Sequence, residues 1–167
     1  TIIVTSVTGD FVGIRARGEG NTGALLIDAT GVVTGTNDFG IDAYNQGTNL
    51  TISANSVSGG IYALNKGSGE VYIKTTGEVT SGIFARNKYG TSLTIDAAKV
   101  SGIISAINEG TGALAITASD DVTAPTGDAI NARNEGTALT ISATAVTGGA
   151  YGIKATNNGS GALSITA

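Results

Sequence analysis

The chain has 167 residues, a net charge of −4, and no histidine, cysteine, methionine or tryptophan. Without histidine, a Ser-His-Asp triad and the usual zinc ligand sets are excluded; without cysteine, so are a disulfide framework and thiol chemistry. The acidic balance opposes binding to nucleic acid or anionic lipid, and no apolar run approaches the ~20 residues of a membrane helix, so no membrane insertion is expected.

From the N-terminus onward one pattern recurs. Its first column is Ile14, Ile41, Ile61, Ile83, Ile104, Ile130 and Ile153. Two residues later come Ala16, Ala43, Ala63, Ala85, Ala106, Ala132 and Ala155. Two further come Asn45, Asn65, Asn87, Asn108, Asn134 and Asn157, with Gly18 in the first copy. Next are Leu25, Leu50, Val71, Leu93, Leu114, Leu139 and Leu163, and then Ile27, Ile52, Ile73, Ile95, Ile116, Ile141 and Ile165. A single Val closes each copy, at 33, 57, 79, 100, 122 and 146. The first column recurs at spacings of 27, 20, 22, 21, 26 and 23 residues.

Each copy holds two apolar stretches of period 2, which is strand spacing, and no helical stripe. A strand pair of Ile and Ala cannot bury itself alone, whereas coils stacked ~4.8 Å apart place each Ile on the Ile above. The pattern predicts an all-β fold: a right-handed parallel β-helix, a three-stranded β-solenoid of about seven coils, forming one domain over 1–167. Asn at the bend is expected to tolerate left-handed backbone and to form a side-chain ladder. The glycine after it, at 20, 47, 67, 90, 110, 136 and 159, supplies a second permissive position. Ile2, Val4 and Val7 match the later columns, and Ala167 falls inside a coil, so the chain reads as a piece of a longer array.

Length varies mainly at one corner. Val to the next Ile takes 7, 8, 4, 4, 4, 8 and 7 residues, whereas Leu to Val takes 8, 7, 8, 7, 8 and 7. Residues 8–13, 34–40, 123–129 and 147–152 are therefore expected to be long loops, and 58–60, 80–82 and 101–103 tight corners. The result is a saddle whose raised ends carry Asp10-Phe11, Asp38-Phe39, Pro125 with Asp128, and Tyr151. Loops on rigid scaffolds are where function concentrates, although insertion at an exposed corner is also simply cheap.

The outward positions of the first strand gather Tyr44, Tyr62, Leu64, Phe84 and Ile107, with Arg17, Arg86 and Arg133 in one column. Aromatic and Arg side chains beside exposed apolar groups are the composition of a binding hot spot. The candidate contact surface is Tyr44, Tyr62, Leu64, Phe84, Arg86, Ile107 and Arg133, with Phe39 from the adjoining loop. A stacked ladder that only stiffens the sheet is the simpler alternative.

Other signals are weaker. Thr-x-Ser and related rows at 51–53, 115–117, 140–142 and 164–166 resemble the surface of ice-binding proteins, but Leu26, Tyr72 and Lys74 interrupt them. Asp120, Asp121 and Asp128 supply too few ligands for calcium and read as a solvated loop. Asp28 and Asp96 share a column but lie ~14 Å apart by strand spacing, too far for a hydrolytic pair. No cofactor, metal site or catalytic group is expected. Arg17-Gly18-Glu19 lacks the Asp of the integrin tripeptide. Asn49-Leu50-Thr51 and Asn158-Gly159-Ser160 match the glycosylation pattern, as chance allows in a chain of this composition.

The pattern G-I-x-A-x-N-x-G…L-x-I…V-T/S-G, carried best by residues 40–45, 60–65 and 152–157, resembles the passenger domains of Gram-negative autotransporters (type V secretion). The resemblance covers the whole chain and rests on scaffold positions. It implies export through an outer-membrane barrel and a secreted or surface-displayed location. It also implies an adhesin or virulence factor that contacts a host cell-surface protein, matrix component or glycan. A structural stalk or self-association is the alternative, followed by a polysaccharide-active enzyme.

Overall fold

A computed structural model describes residues 1–20 and 22–167. All the regular structure among them is parallel β, stacked as a solenoid of about seven turns. Each coil contributes one short strand and one long strand. The short strands, Ile14–Gly18, Ile41–Asn45, Ile61–Asn65, Ile83–Asn87, Ile104–Asn108, Ile130–Asn134 and Ile153–Asn157, form a seven-stranded sheet. The long strands, Leu25–Gly35, Leu50–Ser58, Val71–Val79, Leu93–Ser101, Leu114–Ala124, Leu139–Gly148 and the shorter Leu163–Thr166, form a second sheet. Ile2–Val4 and Val7–Gly9 both pair with the first long strand, making that sheet nine-stranded.

Register follows the repeat. Ile61 pairs with Ile41 on one side and Ile83 on the other, Ala63 with Ala43 and Ala85, and Asn65 with Asn45 and Asn87. A slip of one residue would turn every inward Ile outward, so the apolar period excludes it. The Ile, Ala, Leu and Val columns of the central coils are buried. Burial fades toward both ends, where Ile2 and Val4 are only partly buried and Leu163 and Ile165 are 47% exposed, because a terminal strand has a neighbour on one side only.

Three features depart from the expectations. First, the stretches expected as second and third strands are continuous, so the coil has two sheets rather than three. Between them the ladder shifts register at each of the five interfaces between full-length long strands, for example between Ala29 and Val32 and between Ala54 and Val57. The cause is the alternating spacing of 8 and 7 residues between Leu and Val. Each coil is one residue longer or shorter than the next along this strand, and the surplus residue is accommodated as a bulge.

Second, the core has a further inward column beside the five apolar ones and the Asn column: Ala29, Ala54, Thr75, Ala97, Ala118 and Ala143 are all buried. It lies two residues beyond the second Ile and continues the same alternation. Thr75 is the exception in composition, and its buried Oγ1 has no hydrogen-bond partner.

Third, Asn does not turn the bend by left-handed backbone. No residue other than glycine among those described has positive φ. Instead Asn45, Asn65, Asn87, Asn108 and Asn134 end their strands fully buried, and their side chains hold the bend from inside. Asn65 Nδ2 donates to Gly69 O (3.3 Å) and to Asn87 Oδ1 (3.2 Å), while its Oδ1 accepts from Gly67 N (3.1 Å) and Asn45 Nδ2 (3.2 Å). Asn108, Asn134 and Asn157 continue the ladder through Nδ2–Oδ1 bonds of 2.9 Å at both steps. Asn87 Nδ2 turns instead to Gly69 O and Ser92 O.

The glycine that follows each Asn is likewise not needed for its backbone angles; in this column only Gly20 (φ 65°), in the copy without Asn, is left-handed. A Cβ on Gly67 would lie 1.9 Å from Gly47 O, and one on Gly136 would lie 2.0 Å from Gly112 O. At this edge the coils approach too closely for any side chain. Left-handed glycine is used at the tight corners, by Gly60 (φ 92°) and Gly82 (φ 100°), where only residues 58–60 and 80–82 lie between Val and Ile.

Candidate functional site

The corner of variable length positions the candidate site. Its long loops begin two residues later than expected, because Thr34-Gly35, Thr123-Ala124 and Thr147-Gly148 extend the long strands, as Thr8-Gly9 extends the second N-terminal strand. The remaining loop residues stack in pairs. Thr36 N donates to Gly9 O (3.1 Å), Asn37 Nδ2 to Asp10 O (2.6 Å) and Gly13 N to Phe39 O (3.3 Å). At the other end Gly149 N donates to Ala124 O (2.9 Å) and Ala150 N to Gly127 O (2.8 Å). Each wall of the saddle is thus two loops thick and hydrogen-bonded across coils. Phe11 and Tyr151, one in each wall, are exposed.

Between the walls the tight corners form a floor. Against the first wall lies an open depression of about 570 Å³ lined by Thr34, Thr36, Asn37, Asp38, Ser58, Gly59, Thr80 and Ser81. Its lining is hydroxyl, amide, one carboxylate and main chain.

Phe39, at the end of the same loop, leans over the short-strand sheet. Its ring centroid lies 5.5 Å from that of Tyr62 and 6.0 Å from that of Phe84, the latter edge-on at 75°. Both are favourable aromatic geometries. Tyr62 and Phe84 are adjacent in register, as are Leu64, Arg86 and Ile107 in the next outward column. A smaller hollow of about 150 Å³ opens among Tyr62, Phe84, Arg86, Ser105 and Ile107. Five of the eight expected contact residues therefore meet in one cluster, in which Phe39, Tyr62, Phe84 and Ile107 are half-buried and Arg86 is exposed, with Leu64 in register beside Arg86. Tyr44 lies one coil beyond Leu64, and Arg133 one coil beyond Ile107 on the opposite side.

The arginines are not free. Arg86 grips Glu109 with Nη2 2.6 Å from Oε1 and 2.9 Å from Oε2, and Nε 3.3 Å from Oε2. Arg133 bonds Glu135. Arg17 Nη2 and Arg15 Nε both reach Asp42 Oδ2, at 2.6 and 3.2 Å, and Asp42 itself is buried. Tyr44 is flanked by cations, Arg17 at 5.8 Å and Lys66 at 5.5 Å from its ring centre, and its hydroxyl accepts from Gln46 Nε2.

Sequence reasoning missed these partners. Glu109 is two residues beyond the position directly opposite Arg86, and Lys66 stands in the same relation to Tyr44, so the signal was a diagonal pairing across coils.

Among the described residues no three His, Cys, Asp or Glu side chains gather to hold a metal ion. No helix is long and apolar enough to cross a membrane. Elsewhere on the outer face Lys74–Asp96 (3.8 Å) and Lys99–Glu78 (3.3 Å) are exposed ion pairs. Glu78 is held below the usual carboxylate range, first by the Ser101 hydroxyl that donates to it and then by Lys99. Compared with protein-family models, curated proteins and solved structures, the chain matches none.

Proposed function

We propose that this chain is a non-enzymatic binding module, a passenger segment of a Gram-negative autotransporter that is secreted or displayed on the bacterial surface and adheres to host cells. The observation that carries the reading is the gathering of Phe39, Tyr62 and Phe84 on an outer face. A solenoid needs no rings there: its core is complete without them, and the same outward column is Ser105 and Asn131 in the next two coils. Half-buried rings beside a hollow present apolar area at little entropic cost, since Tyr62 and Phe84 each already pack on Phe39. The resemblance of the repeat to autotransporter passengers supplies the exported context.

The test is the double substitution Tyr62→Ala and Phe84→Ala. Adhesion of the purified chain to cultured host cells is expected to weaken at least about tenfold, as for central aromatic anchors. The thermal midpoint should stay within a few degrees of the parent, because neither residue is inside the tube. Adhesion equal to the parent's refutes the site. Clumping of beads coated with the chain, lost in the same variant, would assign the surface to self-association instead.

A further inference from the structure

Resting on that reading, we infer that the ligand is an uncharged glycan, held jointly by the ring cluster and the polar depression beside it. The two surfaces belong to one loop and two corners. Thr36, Asn37 and Asp38 line the depression, and the next residue, Phe39, packs on Tyr62 and Phe84. Gly59 and Ser81 line its floor, each three residues ahead of a ring, Tyr62 and Phe84 respectively, so no more than ~10 Å of chain separates polar floor from apolar face. Together they offer flat rings and, around the corner, an open shelf of hydroxyls and amides.

That pairing matches the chemistry of a sugar chain. A pyranose has one face of C–H bonds, which packs on an aromatic ring, and a rim of hydroxyls, which needs donors and acceptors in fixed positions. The shelf is preorganised for this. Asn37 Nδ2 is committed to Asp10 O and Thr36 Oγ1 donates to Gly9 O (3.4 Å), which leaves the Asn37 Oδ1 acceptor oriented by the wall. A depression of about 570 Å³ is within the ~300–1,000 Å³ of ligand sites, and its open form suits a chain passing through.

Charge selects against anionic glycans. The arginine nearest the rings is already bound two-pronged by Glu109, and Arg17 and Arg133 are bound by Asp42 and Glu135. The one charged group in the depression is the carboxylate of Asp38. A sulfate, sialate or uronate would find no unpaired cation there and would face that carboxylate, a like-charge penalty rather than a gain.

The experiment measures binding of the purified chain to host cells after three treatments, each against untreated cells: mild periodate, which cleaves the vicinal diols of glycans; sialidase; and heparinase. Periodate should abolish binding, while sialidase and heparinase leave it intact. The double variant Ser58→Ala and Ser81→Ala, which removes shelf hydroxyls without touching a ring, should bind untreated cells about three- to tenfold more weakly, as for loss of single hydrogen bonds. Binding that survives periodate points to a protein ligand and overturns the inference, as does binding lost to sialidase or heparinase. Either result leaves the adhesive reading standing, whereas unchanged binding by the Tyr62 and Phe84 double variant defeats the reading itself.

Discussion

The two corners that flank each short strand reverse the chain by different means. After the strand, a buried amide does the work: Asn Oδ1 accepts from the glycine two residues on, and Nδ2 holds the carbonyls that close the bend. Before the strand no polar side chain enters the core, and the turn is made tightly with left-handed Gly60 and Gly82 or loosely with a loop. The first corner is tied to the coils above and below through its side chain. The second is held by main-chain bonds and by surface side chains such as Asn37 and Thr80, with no side chain locked inside the tube, so it tolerates changes in length. The candidate site stands at the corner that is free to vary because the other is not.

Breaking the amide corner is expected to have the largest effect. Asn65→Ala strips a fully buried position of four hydrogen bonds and leaves the Gly67 N–H without its acceptor. The expected loss is about 3 kcal/mol, read from denaturant midpoints. A loss below about 1 kcal/mol would mean that the ladder is incidental. Gly67→Ala comes next. Its Cβ meets Gly47 O at 1.9 Å, so neighbouring coils must part, at a cost of about 1–3 kcal/mol. The same measurement decides whether close approach, rather than backbone freedom, is why glycine stands there.

Thr75→Val should act in the opposite sense and more weakly. It removes a buried hydroxyl that has no partner and keeps the shape, so a gain of about 1 kcal/mol is expected. The smallest effect concerns Glu78, on the long strand that leads into a tight corner. Its lowered pKa means that its contribution to stability is complete above the ordinary glutamate range. That contribution fades as acidification protonates the group below the range. Because the group is exposed the change should be slight, and Glu78→Gln should flatten it in a comparison of thermal midpoints across acid pH.

Much of this molecule is legible in its sequence, and the legible part is the part set by repetition. The Ile, Ala, Leu and Val columns announce period, register and burial together, and the pairing of Ile61 with Ile41 and Ile83 follows the alignment of the letters. The tight corners and the raised walls follow from counting residues between Val and Ile. What repetition hides is what differs from its surroundings by only a little. Ala29 and its column are small and common, so they look like surface until the alternation is carried two residues further. Asn and Gly have several uses at a bend, and composition does not say which one operates. At the candidate site the rings were legible as apolar letters on a solvent face. Their union by Phe39 depends on a loop's path, and the neutralisation of Arg86 depends on Glu109 one coil away, neither of which a column records.

The offset between the inward Asn and the bare residue after it also bears on how this protein ages. An asparagine loses its amide nitrogen when the next main-chain nitrogen attacks the side-chain carbonyl, and a side chain on that next residue hinders the attack. The buried asparagines are followed by Gln46, Lys66, Lys88, Glu109 and Glu135, with glycine placed one step too late to help, except at Asn87, where it falls later still. Asn158, outside the ladder and exposed, is followed directly by Gly159. Spontaneous deamidation should therefore begin at that end of the tube and spare the interior stack.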